Sequence, residues 1–467
     1  MLNRRRFLGG ALRTSACLAL SSSIPVPAEA ELRLALRRSA SPAVQIPPTF
    51  VGLGYEMSSI ASPGLLSVAN GSYVELVKGL GPKGVVRAGG IVANYTRYEP
   101  NGTAKSDRQN TVITRASLDQ FGAFLDRTGW SAIWSVNFAQ GTIAEAREEA
   151  RAVASVLGPR LLAVELGNEV DQYRQPFRNP PYTYEAFRKE YDEWHAALVE
   201  AVPGLRFAAP DTAGNVDWVE RMAKDARGQV QLLTTHYYRG GQEHGTAEEL
   251  LHPDPRLMGN LERLRTASRE SGIPWRMCET NSFFGGGHPG VSDTFVAALW
   301  TLDYMLLLAS FGCSGVNIET GVNQLGFISS YSPIEDDGHH RNRAGAPYYG
   351  MLAFAVATER CTELFPLEAP NSPQNITAYA LGEAGKVHSV VLVNRGDRDA
   401  RVSIAALGLH HRLEAVRLLA PSVSSTSGIT FGGADVDGGG KWSASAVEDI
   451  SGFDVMLPGM SSVILRV

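Results

Sequence analysis

Strand-like and helix-like patterns alternate eight times between about residue 50 and residue 358, at a spacing of roughly 35 residues. Repeated strand–helix units predict a parallel sheet covered by helices, and eight of them predict a closed (β/α)₈ barrel. The alternative is an open doubly wound sheet, which calls for a Gly-x-Gly-x-x-Gly turn after its first strand. Here Gly52-Leu53-Gly54 is followed by Tyr55-Glu56, which favours the barrel.

The predicted elements follow from short apolar runs and from apolar positions at helical spacing. The barrel strands are predicted at 50–56, 84–88, 131–137, 161–166, 205–210, 230–236, 275–278 and 314–319. The helices between and after them are predicted at 118–128, 142–157, 184–202, 216–224, 256–271, 291–311 and 348–358.

A second pattern begins near residue 365, where strands follow one another without helices. Turns rich in glycine and serine separate these strands, which is typical of a small β-sandwich. We therefore expect a catalytic barrel over 47–364 and a C-terminal β-sandwich over 365–467. The alternating segment within 31–46 predicts an N-terminal strand that pairs with the sandwich.

The first thirty residues have the composition of an export signal. Arginines at 4–6 precede Phe7-Leu8, an apolar stretch and then Ala28-Glu29-Ala30, a small-x-small cleavage pattern. This arrangement resembles a twin-arginine signal over 1–30, with an ordinary secretory signal as the alternative. We expect a protein that is periplasmic or secreted, and that has no membrane span once the signal is removed.

The net negative charge of the chain argues against some classes of binding partner. Removing residues 1–30 takes away four arginines and one glutamate, which changes the formal charge from −5 to −8. An acidic chain is a poor match for nucleic acid, or for a polyanion held on a broad basic face. We therefore expect no nucleic-acid partner.

Two glutamates are the candidates for chemistry. Glu169 follows the fourth predicted strand, and Glu279 ends the seventh, which places them on opposite sides of the barrel mouth. Glycoside hydrolysis needs such a pair, because one carboxyl protonates the leaving oxygen while the other attacks the sugar or activates water. Asn168, directly before Glu169, is the candidate hydrogen-bond partner of the sugar 2-hydroxyl.

Three consecutive glycines, 285–287, follow Glu279. Glycines let bare backbone N–H groups approach a ligand, and successive N–H groups form a nest that binds anions. We predict that Gly285 and Gly286 hold the carboxylate of an acidic sugar. Glu56, after the first barrel strand, is a candidate for a sugar hydroxyl, and Arg87 is expected to brace the carboxylates by hydrogen bonds.

The segment 278–295, Cys-Glu-Thr-Asn-Ser-Phe-Phe-Gly-Gly-Gly-His-Pro-Gly-Val-Ser-Asp-Thr-Phe, resembles glycoside hydrolase family 79, the β-glucuronidase and heparanase family. The segments 235–238 and 87–90 are similar to the same family, and the resemblance extends from about residue 50 to the end. Asn168-Glu169 alone marks only the wider clan of barrel hydrolases that carry two glutamates at these positions.

The resemblance implies a retaining mechanism in which Glu279 is the nucleophile and Glu169 is first the acid and then the base. It also implies that tyrosine hydroxyls contact the substrate carboxylate, with Tyr331 and one of Tyr237 or Tyr238 as the matching residues. The family often has tyrosine directly before the glycines, where this chain has Phe284.

These observations predict an exo-acting β-glucuronidase that needs no cofactor and no metal. Its partner is a carbohydrate with a β-linked glucuronic acid, and we expect a monomer. The first alternative is an endo-β-glucuronidase of the heparanase type, which the acidic charge disfavours because sulfated chains call for basic subsites. The second alternative, a non-catalytic glycan-binding protein, is disfavoured by the presence of both glutamates.

Overall fold

The computed structural model describes residues 32–322, 328–336, 339, 341–368, 375–409 and 412–467. The expected export signal, 1–30, lies outside the described residues. Within these ranges, no helix combines the length and the apolar character that crossing a bilayer requires.

The described strands are numbered in chain order. They are β1 (Leu32–Arg37), β2 (Val44–Gln45), β3 (Val51–Glu56), β4 (Val85–Gly89), β5 (Thr96–Tyr98), β6 (Thr111–Ile113), β7 (Ser131–Val136), β8 (Leu161–Leu166), β9 (Phe207–Thr212), β10 (Leu232–Gly241), β11 (Trp275–Phe284), β12 (Val316–Glu319), β13 (Ile334–Asp336), β14 (Asn342–Ala344), β15 (Glu363–Phe365), β16 (Ile376–Glu383), β17 (Lys386–Asn394), β18 (Ala400–Ala406), β19 (Arg412–Leu419), β20 (Thr430–Phe431), β21 (Glu448–Ser451), β22 (Asp454–Leu457) and β23 (Ser461–Arg466).

The described helices are α1 (Met57–Ala61), α2 (Gly71–Gly79), α3 (Arg115–Thr128), α4 (Ile143–Leu157), α5 (Tyr184–Ala201), α6 (Val216–Asp225), α7 (Ala247–Leu251), α8 (Pro255–Ser271), α9 (Phe295–Ser310) and α10 (Ala346–Thr358). Several of these helices are capped by the polar residue directly before them. At the start of α4, for example, the Thr142 side chain accepts a hydrogen bond from the Glu145 N–H.

The predicted barrel is confirmed. Eight parallel strands close in the order β3, β4, β7, β8, β9, β10, β11 and β12, and β12 pairs back onto β3. The strands are almost wholly buried, because helices cover the outside and side chains fill the inside. Their carboxyl ends therefore meet at one mouth, where barrel enzymes build their sites.

The seventh barrel strand differs from its prediction. β11 continues to Phe284, so Glu279 lies inside the strand and does not end it. The register of β11 shifts against both neighbours around this position: between Thr235 and His236 on β10, and between Met277 and Thr280 on the β12 side. Such an irregularity turns a side chain towards the site while the strand goes on.

The predicted C-terminal sandwich is also confirmed, in two sheets. One is β1-β18-β22, in which Leu32 of β1 lies opposite Ala400 of β18, and the other runs β2-β15-β16-β17-β23-β19-β20 with β21 against β19. Alternating apolar side chains of both sheets form the core between them. A buried contact joins the sandwich to the barrel, where Arg395 pairs with Asp303 of α9 at 3.0 Å.

Candidate active site

A pocket of about 760 Å³ opens at the carboxyl ends of the barrel strands. All the predicted site residues except Arg87 line it: Glu56, Asn168, Glu169, Tyr237, Tyr238, Glu279, Gly285, Gly286 and Tyr331. The structure thus brings together residues that lie up to 275 positions apart in the chain, from Glu56 to Tyr331.

Glu169 is presented by a tight turn after β8. Gly167 and Glu169 both adopt left-handed backbone conformations, with φ of +85° and +50°. A left-handed glutamate is uncommon and is maintained only where its surroundings enforce it. Here the Asn94 amide donates to the Asn168 carbonyl at 3.3 Å, and Tyr173 donates to Asn94 at 2.7 Å.

The two glutamates face each other closely. One carboxyl oxygen of Glu169, one of Glu279 and a ring nitrogen of His236 all lie within 4.8 Å of one another. Glu279 is largely buried, whereas Glu169 is partly exposed to the pocket. Two facing carboxyls of unequal exposure can act on opposite sides of one bond.

Arg87 lies beneath the pocket and joins four polar side chains. It is wholly buried and donates to Glu165 at 3.0 Å, to Asp211 at 2.6 Å, to Glu279 at 2.8 Å and to Asn168 at 2.9 Å. Burial lowers the pKa of Arg87, but the carboxylates around it outweigh this effect and raise it well above its ordinary value. Arg87 therefore stays charged and orients both Glu279 and the Asn168 amide.

Tyr238 and Tyr237 point to different sides of β10, as successive residues of a strand do. The Tyr238 hydroxyl donates to Glu279 Oε1 at 2.9 Å, whereas the Tyr237 hydroxyl donates to Asp254 at 3.0 Å. Of the two tyrosines offered by the sequence, Tyr238 is thus the one in contact with Glu279. Its ring stacks on that of Tyr331, with centroids 6.3 Å apart.

His236 was not among the predicted site residues, although its segment carried the family resemblance. Its Nδ1 lies 3.2 Å from Glu169 and its Nε2 lies 2.9 Å from Asp211. Burial lowers the pKa of His236, but the charges of Asp211 and Glu279 outweigh this effect and raise it well above its ordinary value. The protonated ring then donates to Glu169 and Asp211, and its Nδ1 also lies 3.8 Å from Glu279.

Three further acids were missed by sequence reasoning: Glu165, Asp211 and Glu319, each at or near the carboxyl end of a barrel strand. Burial, with some help from Asp211, raises the pKa of Glu165 to about 7. Burial also tends to raise the pKa of Asp211, but Arg87 and His236 overcome this effect and lower it. The strand-end position was the available signal, but it marks many structural ion pairs as well.

Among the described residues, two groups of side chains have the spacing of metal ligands: Glu165 with Asp211 and Cys278, and Glu169 with His236 and Glu279. In both groups the acids already receive hydrogen bonds from Arg87 or His236.

Gly285 and Gly286 have φ of +89° and +106°, which favours glycine. Their backbone N–H groups have no acceptor among the described residues. Glu56 accepts from the Val92 N–H at 2.8 Å, and burial followed by the charge of Glu279 raises its pKa to about 8. Phe284 lies at the pocket wall with 58% of its surface exposed.

No protein-family model matches the chain. A β-glucuronidase from Aspergillus niger is 28% identical over 346 residues, which cover 64% of this chain and 62% of that protein. A heparanase from Gallus gallus is 22% identical over 388 residues, which cover 69% of this chain and 71% of the relative. The comparisons confirm the resemblance to the β-glucuronidase and heparanase family. The match with the Aspergillus niger protein covers less than two thirds of that protein's length.

The fold has close structural neighbours. A 4-O-α-L-rhamnosyl-β-D-glucuronidase from Fusarium oxysporum superposes with a TM-score of 0.80 at 18% identity, covering 93% of this chain and all of its own. A family 51 α-L-arabinofuranosidase from Bifidobacterium longum has a TM-score of 0.66 at 16% identity, covering 93% of this chain and 98% of its own. At these identities the neighbours establish the barrel-and-sandwich fold and nothing finer.

Proposed function

We propose that this protein is a retaining β-glucuronidase that removes terminal β-linked glucuronic acid through a covalent glycosyl-enzyme intermediate. The observation that carries the proposal is the separation of Glu169 and Glu279, whose nearest carboxyl oxygens lie within 4.8 Å. Retaining pairs stand about 5–5.5 Å apart, whereas inverting pairs stand about 6.5–9.5 Å apart to leave room for a water molecule.

The contacts of each glutamate suit one role. Glu279 accepts from Arg87 and Tyr238, which hold its carboxylate in place and direct it into the pocket, so it is the nucleophile that attacks the anomeric carbon. Glu169 is more exposed and faces Glu279 in the pocket, so in the proposed mechanism it protonates the leaving oxygen and later deprotonates water. The protonated His236 stabilises the charge that Glu169 acquires when it gives up its proton.

Glucuronic acid is the proposed sugar because the pocket offers donors to an extra carboxylate. Gly285 and Gly286 present N–H groups without acceptors among the described residues, and the Tyr331 side chain lines the same pocket. The name of the Aspergillus niger relative, a β-glucuronidase, supports the same substrate class. We propose that Asn168, whose amide oxygen accepts from Arg87, contacts the 2-hydroxyl, and that Glu56 holds a further hydroxyl.

An endo-acting enzyme of the heparanase type is the second candidate. Arg108, Arg174 and Arg256 line the pocket, and basic residues there could hold the acidic groups of a chain that continues beyond the cleaved sugar. Exo action remains our proposal because the chain as a whole is acidic. Product analysis separates the two. An exo enzyme cleaves a glucuronate-capped oligosaccharide into free glucuronic acid and a chain one sugar shorter, whereas an endo enzyme cleaves it into two oligosaccharides without releasing free glucuronic acid.

The remaining proposals come from the sequence. We propose that residues 1–30 direct export by the twin-arginine route to the periplasm or the medium, and that the protein acts as a monomer. Fractionation of cells that carry Arg5→Lys and Arg6→Lys tests the first, and light scattering of the purified protein tests the second.

Replacing the nucleophile tests the function itself. Glu279→Gln keeps the size of the side chain but removes the nucleophilic charge, so turnover of p-nitrophenyl β-glucuronide should fall by several orders of magnitude. Glu363→Gln is the matched control, because Glu363 lies in β15, outside the pocket, and should keep normal turnover. Near-normal activity of Glu279→Gln would exclude the assignment, and an enzyme that prefers p-nitrophenyl β-glucoside would exclude glucuronic acid as the substrate.

A further inference from the structure

Glu319 is a buried acid that the proposed mechanism leaves unused. It ends the last barrel strand, β12, with 3% of its surface exposed, and it lines the floor of the pocket. Its Oε2 atom is buried and has no hydrogen-bond partner among the described residues. Buried carboxyl oxygens are nearly always hydrogen-bonded, so an unpartnered one at the floor of a ligand pocket calls for an explanation.

The neighbouring strand makes room for this carboxyl. Gly54 of β3 lies beside Glu319, and a Cβ atom at Gly54 would overlap Glu319 Oε2. The glycine therefore leaves the space that the acid fills inside the barrel mouth. A side chain in that space would push Glu319 away from its place at the pocket floor.

The surroundings of Glu319 favour its neutral form. Burial first, and then the charges of Glu279 and Glu56, raise the pKa of Glu319 well above its ordinary value, against the opposing charges of Arg87 and His236. The titratable and charged groups that face it from the packed elements are Tyr55 and Glu56 of β3, Arg87 of β4, His236 and Tyr238 of β10, Glu279 of β11 and Tyr331. A neutral carboxyl can donate a hydrogen bond, which an ionised one cannot.

We propose that Glu319 is a further substrate-binding residue, whose protonated carboxyl donates a hydrogen bond to the carboxylate of the bound uronic acid. This inference rests on the proposed function. A uronate carboxylate only accepts hydrogen bonds, so it needs donors in a pocket that also holds Glu56, Glu169 and Glu279.

The position of Glu319 fits that contact. The Asn281 side-chain amide donates to the carbonyl of Glu319 at 2.9 Å and to that of Tyr331 at 3.0 Å, so the two residues are close neighbours. Tyr331 is in turn tied to the glycines, because the preceding Ser330 donates to the Gly286 carbonyl at 3.0 Å. Glu319, Tyr331 and Gly286 thus form one wall, on which the acidic edge of the sugar can rest.

Calorimetric titration with D-glucuronate and with D-glucose tests this inference without relying on turnover. Glu319→Leu removes the donor and should weaken glucuronate binding by about tenfold or more while leaving glucose binding unchanged. Glu319→Gln keeps a neutral donor and should bind glucuronate within about threefold of the wild type. Glu149→Gln is the matched control, since Glu149 is a buried acid of α4 outside the pocket and should leave both affinities unchanged.

The pH dependence provides a second measurement, should Glu319→Leu fail to fold. Wild-type affinity for glucuronate should fall as rising pH ionises Glu319 and Glu56, and the fall should be smaller in Glu319→Gln, in which only Glu56 still ionises. The inference would be overturned if Glu319→Leu lost affinity equally for both sugars or lost none. It would also be overturned if wild type and Glu319→Gln had identical pH profiles, or if the wild type did not bind glucuronate. A wild type that binds glucuronate but does not hydrolyse p-nitrophenyl β-glucuronide would refute the proposed function alone.

Discussion

The hydroxyl of Tyr238 offers the cleanest single-atom change in the site. It donates to Glu279 Oε1 at 2.9 Å, and Tyr238→Phe removes that donor while keeping the ring on Tyr331. A hydrogen bond to a charged group contributes about 1.5–3 kcal/mol. If the full amount is lost in the transition state, kcat/KM should fall roughly 10- to 150-fold.

The adjacent residue supplies the control. Tyr237→Phe keeps the ring at the pocket wall and removes only a hydroxyl that donates to Asp254, so it should lower the free energy of unfolding by about 1 kcal/mol and change kcat/KM by less than about twofold. Both variants should be assayed with p-nitrophenyl β-glucuronide and unfolded in urea. A fall of less than about threefold for Tyr238→Phe, or equal losses for both variants, would refute the argument that Tyr238 orients the nucleophile.

Two further predictions concern stability. Arg87→Met should lower the free energy of unfolding by about 3–5 kcal/mol, because Glu165, Asp211 and Glu279 lose the buried positive charge that they share. A loss below about 1 kcal/mol in urea unfolding would contradict this prediction. Burial raises the pKa of Glu149 to about 7 in the folded protein, so its contribution to stability is complete below pH 4.5 and is lost as the pH rises through about 7. The free energy of unfolding of Glu149→Gln, relative to that of the wild type, should therefore rise by roughly 3 kcal/mol between pH 4.5 and pH 8. A difference that stays constant with pH would refute the raised pKa of Glu149.

The barrel could be predicted because its signal is local and repeated. Each apolar strand and each amphipathic helix carries its own period, and eight repeats leave few alternative topologies. The bulge at Glu279 could not be predicted in this way, because it depends on how β11 fits the register of two strands from distant parts of the chain. The sequence therefore located the carboxylate but ended its strand too early.

The hydrogen-bond network around Arg87 was harder to predict from the sequence than the barrel. Arg87 was expected to brace the carboxylates, but its partners Glu165 and Asp211 lie 78 and 124 residues away and become neighbours only when the barrel closes. The alternation of side chains along a strand could have distinguished Tyr238 from Tyr237. His236 and Tyr238 share one face of β10 because side chains alternate along a strand, whereas Tyr237 lies on the other face. Recognising His236 as part of the site would have selected Tyr238 from the sequence alone.

We propose above that Glu169 and Glu279 act as a retaining pair. Proton NMR of the sugar released from p-nitrophenyl β-glucuronide measures this directly, because the anomeric proton signals of α- and β-glucuronic acid are separate. The short distance between the two carboxyls predicts that the β-anomer appears first and the α-anomer only later, by mutarotation. Initial release of the α-anomer would show inversion and would contradict the account.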